Sequence, residues 1–396
     1  MKEEYLQQIW KTKRLPFHQL ITINHEFVEI IDTGEHNLYS GPDFFNARVR
    51  INGIMWIGNI EIHVCSSDWY AHRHHIDKAY DNVILHVVYE YDKPVFVKGR
   101  ELPVLELKSC LDTPGWNDYL TMIRNRKWIP CESYLQNLES VFIVQQTDNA
   151  CIKRISRKSE EVEAVYKRVD GDLLQLEFEW MMQAFGNKVN VIPFRELASR
   201  IRWEYMKMLK SDQLYVLMLG VAGLIDKEPT LQQEWNFLKH KYDLDSMESI
   251  SWSYKGVRPV AYPERKIKQA ASFFSVSQPG RYLTSEYHRI EEHLDCQMNN
   301  LPEAAKRLLA INGVVPLMWW YGQYTGKTSC RENAVQLLSG LKPEKNTIID
   351  AWKKRGVKVM NAMDTQGLIE TKNRFCDKRR CLQCKIGERI FRNTAF

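Results

Sequence analysis

Long apolar runs are missing from this chain. The longest, Leu214 to Ile225, is too short to cross a bilayer, which takes about 20 apolar residues. No low-complexity tract, internal repeat or long Gly/Ser/Pro linker interrupts the 396 residues, so the chain reads as globular throughout. The opening stretch, MKEEYLQQIWKTKR, mixes charges with apolar residues at helical spacing and does not read as a signal peptide. Without an export signal, the nine cysteines (65, 110, 131, 151, 296, 330, 376, 381 and 384) read as reduced thiols rather than a disulfide framework. The expectation is a cytoplasmic protein with no membrane partner; its oligomeric state is not legible.

What is present is core material and a lopsided charge distribution. An apolar fraction of 44%, with 12 tryptophans and 18 tyrosines, suffices for two or three domains. Residues 1–92 carry 8 Lys/Arg against 13 Asp/Glu and hold eight of the eleven histidines. Residues 371–396 carry 8 Lys/Arg against 2 Asp/Glu. An acidic, histidine-rich beginning and a basic, cysteine-bearing end suggest two different tasks.

Residues 2–12 read as an amphipathic helix with Tyr5, Leu6, Ile9 and Trp10 on one side. Strand-like runs follow: ITINHEFVEIIDTG, then ARVRI and IMWIGNIEIHV joined by Asn52-Gly53, a strong hairpin signal. Residues 69–81 read as a short helix, VILHVVYEYD as a β-branched strand, and VFVKGRELPVLEL as two further short strands. From about residue 115 the pattern turns helical, in LLQLEFEWMMQAFG, FRELASRIRWEYMKMLK, LQQEWNFLKHKYDL, ENAVQLLSGL and NTIIDAWKKRG. The expected class is α+β: an α/β domain over 1–112 and a larger all-α region over 113–396.

In the stretch SGPDFFNARVRINGIMWIGNIEIHV, alternation puts Glu61 and His63 on one strand face, and the Asn-Gly turn returns the chain toward Asp43. Two carboxylates at adjacent strand ends can hold Mg²⁺ or Mn²⁺ and leave room for water and phosphate. A polar group two residues further on can orient or deprotonate the attacking water. The plain alternative is the polar trim of a half-solvated hairpin, with Asp43 as a turn former after Pro42.

Pro42-Asp43 and Glu61-Ile62-His63 resemble the motif of the PD-(D/E)XK nuclease superfamily, a match covering roughly the first 110 residues. The resemblance implies a restriction-endonuclease-like N-terminal domain. It also implies Asp43 and Glu61 as metal ligands, the Ile62 carbonyl as a third, and a glutamate on the first helix, Glu3 or Glu4. His63 stands in the place of the motif's lysine and cannot supply a permanent positive charge. His72 and His75, three apart on the expected helix, can face one way, and His86 lies on the next strand. The expected catalytic set is Asp43, Glu61, His63 and His75, with His72, His74 and His86 ranked behind.

CDKRRCLQCKIG spaces Cys376, Cys381 and Cys384 as C-x4-C-x2-C, close enough to bind zinc or an iron–sulfur cluster. A fourth ligand is not evident; Cys330 or a histidine would have to supply it. Three reduced cysteines at a helix end are the alternative. Lys378, Arg379 and Arg380 between them would offset thiolate charge and attract phosphate. Some nucleases of the same superfamily carry an iron–sulfur cluster beside C-terminal cysteines, at other spacings.

End to end, GPDFFNARV, GNIEIHVCSSDW, NVILHVVYE, WIPCE and CDKRRCLQCKIG resemble an uncharacterised family of unknown function found mainly in Bacteroidetes, which implies an intracellular bacterial protein. The expected function is metal-dependent hydrolysis of phosphodiesters with nucleic acid as partner. Two rivals stand beside it: an inactive nuclease fold serving as a binding module for nucleic acid or protein, and a metal-dependent hydrolase of a small phosphoester.

Overall fold

The computed structural model describes residues 1–13, 15, 20–37, 39–111, 113–186, 189–276 and 301–393. Cys296 lies outside them. Contacts divide the chain into two compact units, one of residues 1–142 with 374–396 and one of residues 143–373. The change of texture read at 112 therefore marks the end of the sheet, while the compact unit runs on to 142 and takes back the C-terminal segment.

The first unit opens with α1 (Glu3–Lys11), whose Tyr5, Leu6, Ile9 and Trp10 are buried on the expected face. Its sheet has the order β1 (Val28–Asp32), β3 (Phe44–Ile51), β4 (Ile54–Cys65), β5 (Val83–Glu90) and β8 (Val104–Glu106), with β2 (Glu35–His36) also on β3. β3 and β4 form the hairpin, and Asn52 (φ 47°) and Gly53 (φ 82°) take the left-handed turn that their side chains tolerate. β4 runs parallel to β5, and β5 to β8.

Two local readings are corrected. The run 21–34 is not one strand: His25 turns at φ 62°, Thr22 Oγ1 accepts from Glu26 N, and Ile21 bridges Phe27 before β1 begins. The segment 69–81 is not one helix. It starts as α2 (Asp68–Ala71), Arg73 breaks it at φ 63°, and two 3-10 turns, His74–Ile76 and Lys78–Tyr80, complete the crossover to β5. Further on, β6 (Phe96–Val97) and β7 (Arg100–Glu101) make a small hairpin, and α3 (Thr113–Arg124) follows the sheet.

The second unit is helical. The expected segments appear as Leu173–Phe185, Gln232–Tyr242, Thr328–Gly340 and Thr347–Lys354, while the segment beginning at Phe194 divides into Val191–Ser199 and Tyr205–Met208. Its core is aromatic, with Phe178, Trp180, Phe194 and Phe273 fully buried and the Trp180 indole donating to Gly313 O at 2.8 Å. No helix among the described residues is long and apolar enough to cross a membrane.

Candidate functional site

β4 carries the site because its central residues are covered on both faces. Asn59, Glu61 and His63 are polar residues in a strand where Ile60 and Ile62 are fully buried. The parallel pairing sets His86 of β5 beside Glu61, so His86 and His63 lie diagonal to one another. A bulge in β3 between Phe44 and Ala47, with Asn46 at φ 56°, shifts the strand just after Asp43; Asn59 Oδ1 accepts from Asn46 N and holds the bulge.

Asp43 and Glu61 are interlocked. Asp43 N donates to Glu61 Oε2 at 3.1 Å, and Ile62 N donates to Asp43 Oδ2 at 3.0 Å. From α1, the Gln7 amide donates to Asp43 Oδ1 at 2.8 Å and to Glu3 Oε1 at 3.4 Å. Of the two helix glutamates, Glu3 is half-buried and joined to Asp43 through Gln7, while Glu4 is exposed. These three acids, Glu61 buried and Asp43 and Glu3 half-buried, resist ionising. Burial raises Glu61 to about 8, against the bond from Asp43 N. Burial, then Glu61, raises Asp43 to about 7. Burial, then Asp43, raises Glu3 to about 7.

The histidines behave in the opposite sense. His63, with no exposed surface, lies 2.8 Å from His86 (Nδ1 to Nε2) and 3.1 Å from His72 (Nε2 to Nδ1). Burial, then the neighbouring imidazoles, lowers His63 to about 2, and burial lowers His86 to about 3. Both rings thus favour the neutral form. His63 Nε2 and His74 Nε2 stand 3.4 and 3.2 Å from Glu61 Oε1, yet His74 Nε2 makes no hydrogen bond. His74 is stacked on Tyr80 at 3.8 Å and meets Trp69 edge-on, which fixes its plane. Ligand atoms of His63, His72 and His74 all lie within 4.8 Å of one another. A carboxylate oxygen and imidazole nitrogens facing each other at this range call for a proton or a cation among them.

The expected residues divide accordingly. Asp43, Glu61 and His63 are brought together. His75 is not: it is exposed and its ring packs on Tyr70 at 5.2 Å. The helical spacing that paired His72 with His75 does not exist, because the chain leaves α2 at Arg73, and His72 and His74 take the place instead. Gln7 was the least visible member; its spacing of four from Glu3 on one helix was the signal available.

Cys376, Cys381 and Cys384 are buried in the first unit. Between them Lys378 and Arg380 are exposed, but the Arg379 guanidinium is spent on Asn125 O. Cys330 lies on the Thr328–Gly340 helix of the second unit.

No curated protein and no solved structure matches this chain. One family does, over residues 3–292 and 272–347, nearly the whole length and including every residue of the hairpin site. The chain belongs to the family described as Protein of unknown function (DUF2851).

Proposed function

We propose that the protein is a metal-dependent, nuclease-like phosphodiesterase whose cation is held by Asp43 and Glu61. The observation that carries this reading is the crossed pair of bonds, Asp43 N to Glu61 and Ile62 N to Asp43, which fixes two reluctant acids at adjoining strand positions. Such a pair repels itself unless protons or a divalent cation intervene. The donor set fits the cation: carboxylates suit Mg²⁺ or Mn²⁺, and the imidazoles beside Glu61 favour Mn²⁺. When bound, such an ion polarises a phosphoryl oxygen and acidifies a coordinated water.

The chain's own groups supply the rest. His63 occupies the place of the superfamily's lysine; being neutral, it adds no charge, and with its ring nitrogens against His86 and His72 its role is to position the neighbouring Glu61 and His72. Glu3 changes protonation near neutrality and can take a proton from water. Lys378 and Arg380 are exposed cations available to a polymer's phosphates, with nucleic acid the proposed partner. A second reading, a small phosphoester as substrate, is favoured by the cluster of His63, His72 and His74, which could seat a second ion.

The test is Mn²⁺- and Mg²⁺-dependent cleavage of single- and double-stranded DNA and RNA, and of a small chromogenic phosphodiester. Loss of polymer cleavage in Asp43→Ala and Glu61→Ala, with folding intact, supports the reading. Cleavage of the small ester alone favours the second. Nucleic-acid binding without cleavage, lost when Lys378 and Arg380 are neutralised, points to an inactive module. Failure to bind either cation sinks both catalytic readings.

A further inference from the structure

The sequence shows three clustered thiols and no fourth; the fold brings one. Cys131, at the start of the 3-10 turn Glu132–Asn137, belongs to the same compact unit as the C-terminal segment. Cys131, Cys376, Cys381 and Cys384 are each 7% exposed, and none of the four is in a disulfide. Two hydrogen bonds join the stretches that carry them. The Arg379 guanidinium, between Cys376 and Cys381, donates to Asn125 O at 3.0 Å. The Asn125 side chain donates to Pro130 O at 2.6 Å, one residue before Cys131.

The backbone around these thiols is folded tightly. Arg379 is left-handed at φ 54°, unusual for a side chain of its size, and the turn it makes returns Arg379 N to Cys376 O and Arg380 N to Phe375 O. Cys384 N bonds back to Cys381 O. The helix Lys385–Asn393 then passes so close that a Cβ on Gly387 would stand 2.0 Å from Cys381 O. Rings close the surroundings: Tyr119 meets Tyr5, Trp116 and Phe391 at 5.7, 5.5 and 5.4 Å. The thiols also sense one another. Burial, then Cys384 and Cys381, pushes Cys131 up, and burial, then Cys384, pushes Cys381 up to about 12.

We propose that Cys131, Cys376, Cys381 and Cys384 are the four thiolate ligands of one iron–sulfur cluster, which fastens the C-terminal segment to the N-terminal unit. Four buried thiols, with Tyr119 beside Cys381, suit zinc or iron–sulfur chemistry. The spacing favours the second. Among the described residues no three of these sulfurs lie within 4.8 Å of one another, whereas a zinc ion with bonds of about 2.3 Å draws its sulfurs to about 3.8 Å. A cluster takes each thiolate at a separate iron and needs the wider frame. Each thiol gives its proton to solvent as it coordinates, and Lys378, Arg379 and Arg380 offset the charge that results. The assignment is independent of the hairpin site.

The experiment is anaerobic purification followed by iron, acid-labile sulfide and zinc analysis, with visible absorption. The expected result is about four irons and four sulfides per chain, lost in Cys131→Ser and Cys384→Ser and kept in Cys110→Ser. Should the serine variants fail to fold, alkylation of wild-type protein decides: the four cysteines should become reactive together when the metal is removed. Cys131 labelling independently of the other three overturns the assignment. Stoichiometric zinc overturns the cluster, and protein free of both metals overturns the site.

Discussion

Asp43, Glu61, His63 and His86 come from adjoining strands of one sheet, whereas Cys131 and Cys376 are separated in sequence by the whole second unit. The first set is held by backbone geometry that exists without any ion: strand pairing, a bulge and reciprocal main-chain bonds. The second is held by turns, one strained residue and two side-chain bonds. Rigid elements can keep repelling ligands in place for an ion that comes and goes, whereas turns at a chain end gain their order from the ion itself. A catalytic cation should therefore be dispensable for folding, and a structural one should not.

The largest expected effect separates the two. Removing metal from the cysteine site should destabilise the first unit by on the order of 5 kcal/mol or more, because coordination energy is folding energy there. EDTA that strips only the hairpin site should leave the melting temperature nearly unchanged. Calorimetry on protein treated both ways checks this, and equal losses would erase the distinction.

Next in size, Asp43→Ala or Glu61→Ala should lower Mn²⁺-dependent cleavage by about 10³-fold or more, since each removes a ligand. The same variants remove one of two repelling acids but orphan the Ile62 or Asp43 N–H that donates to it, so without metal they should melt within a few degrees of wild type. Gly387→Ala comes third. Its Cβ would collide with the Cys381 carbonyl, so it should cost about 1–3 kcal/mol and release metal from the cysteines while sparing Mn²⁺ binding.

A smaller effect is the pH dependence of the metal-free protein. Folded Glu3, Asp43 and Glu61 keep protons up to about 7, 7 and 8, while the unfolded chain releases them near ordinary carboxylate values. The folded state thus binds more protons, and these three acids should lower the melting temperature progressively as pH rises from about 4.5 to 8. Below about 6.5 the histidines oppose this, because unfolded imidazoles take up protons that buried His63 and His86 refuse until about 2 and 3. The decline should be steepest between about 6.5 and 7, where all three acids still differ and the histidines no longer oppose them, and saturating Mn²⁺ should abolish it. The smallest effect is His75→Ala: an exposed ring on Tyr70 should change neither cleavage nor Mn²⁺ affinity measurably.

Much of the scaffold was legible in the chain. Tyr5, Leu6, Ile9 and Trp10 at helical spacing buried as their period required, and Asn52-Gly53 made the hairpin because few other residue pairs accept two left-handed positions. That Asp43, Glu61 and His63 stand together was legible for the same reason, since a two-residue period and a tight turn leave little choice of face. The crossover 66–82 was not legible. Its polar, histidine-rich composition fits one helix or several turns equally, and Arg73 at φ 63° decided for turns, trading His75 for His72 and His74.

What the sequence determined by itself was local: which strand faces carry acids, where the chain reverses, and that three cysteines stand together near the end. What only the tertiary structure decided was which distant groups join them. Glu3 and Gln7 reach Asp43, His86 reaches His63, and Cys131 shares a buried unit with three thiols on the far side of the helical unit in sequence. The physical reason is that period and turn chemistry act over a few residues, whereas strand order and chain return depend on burying apolar surface across the whole domain.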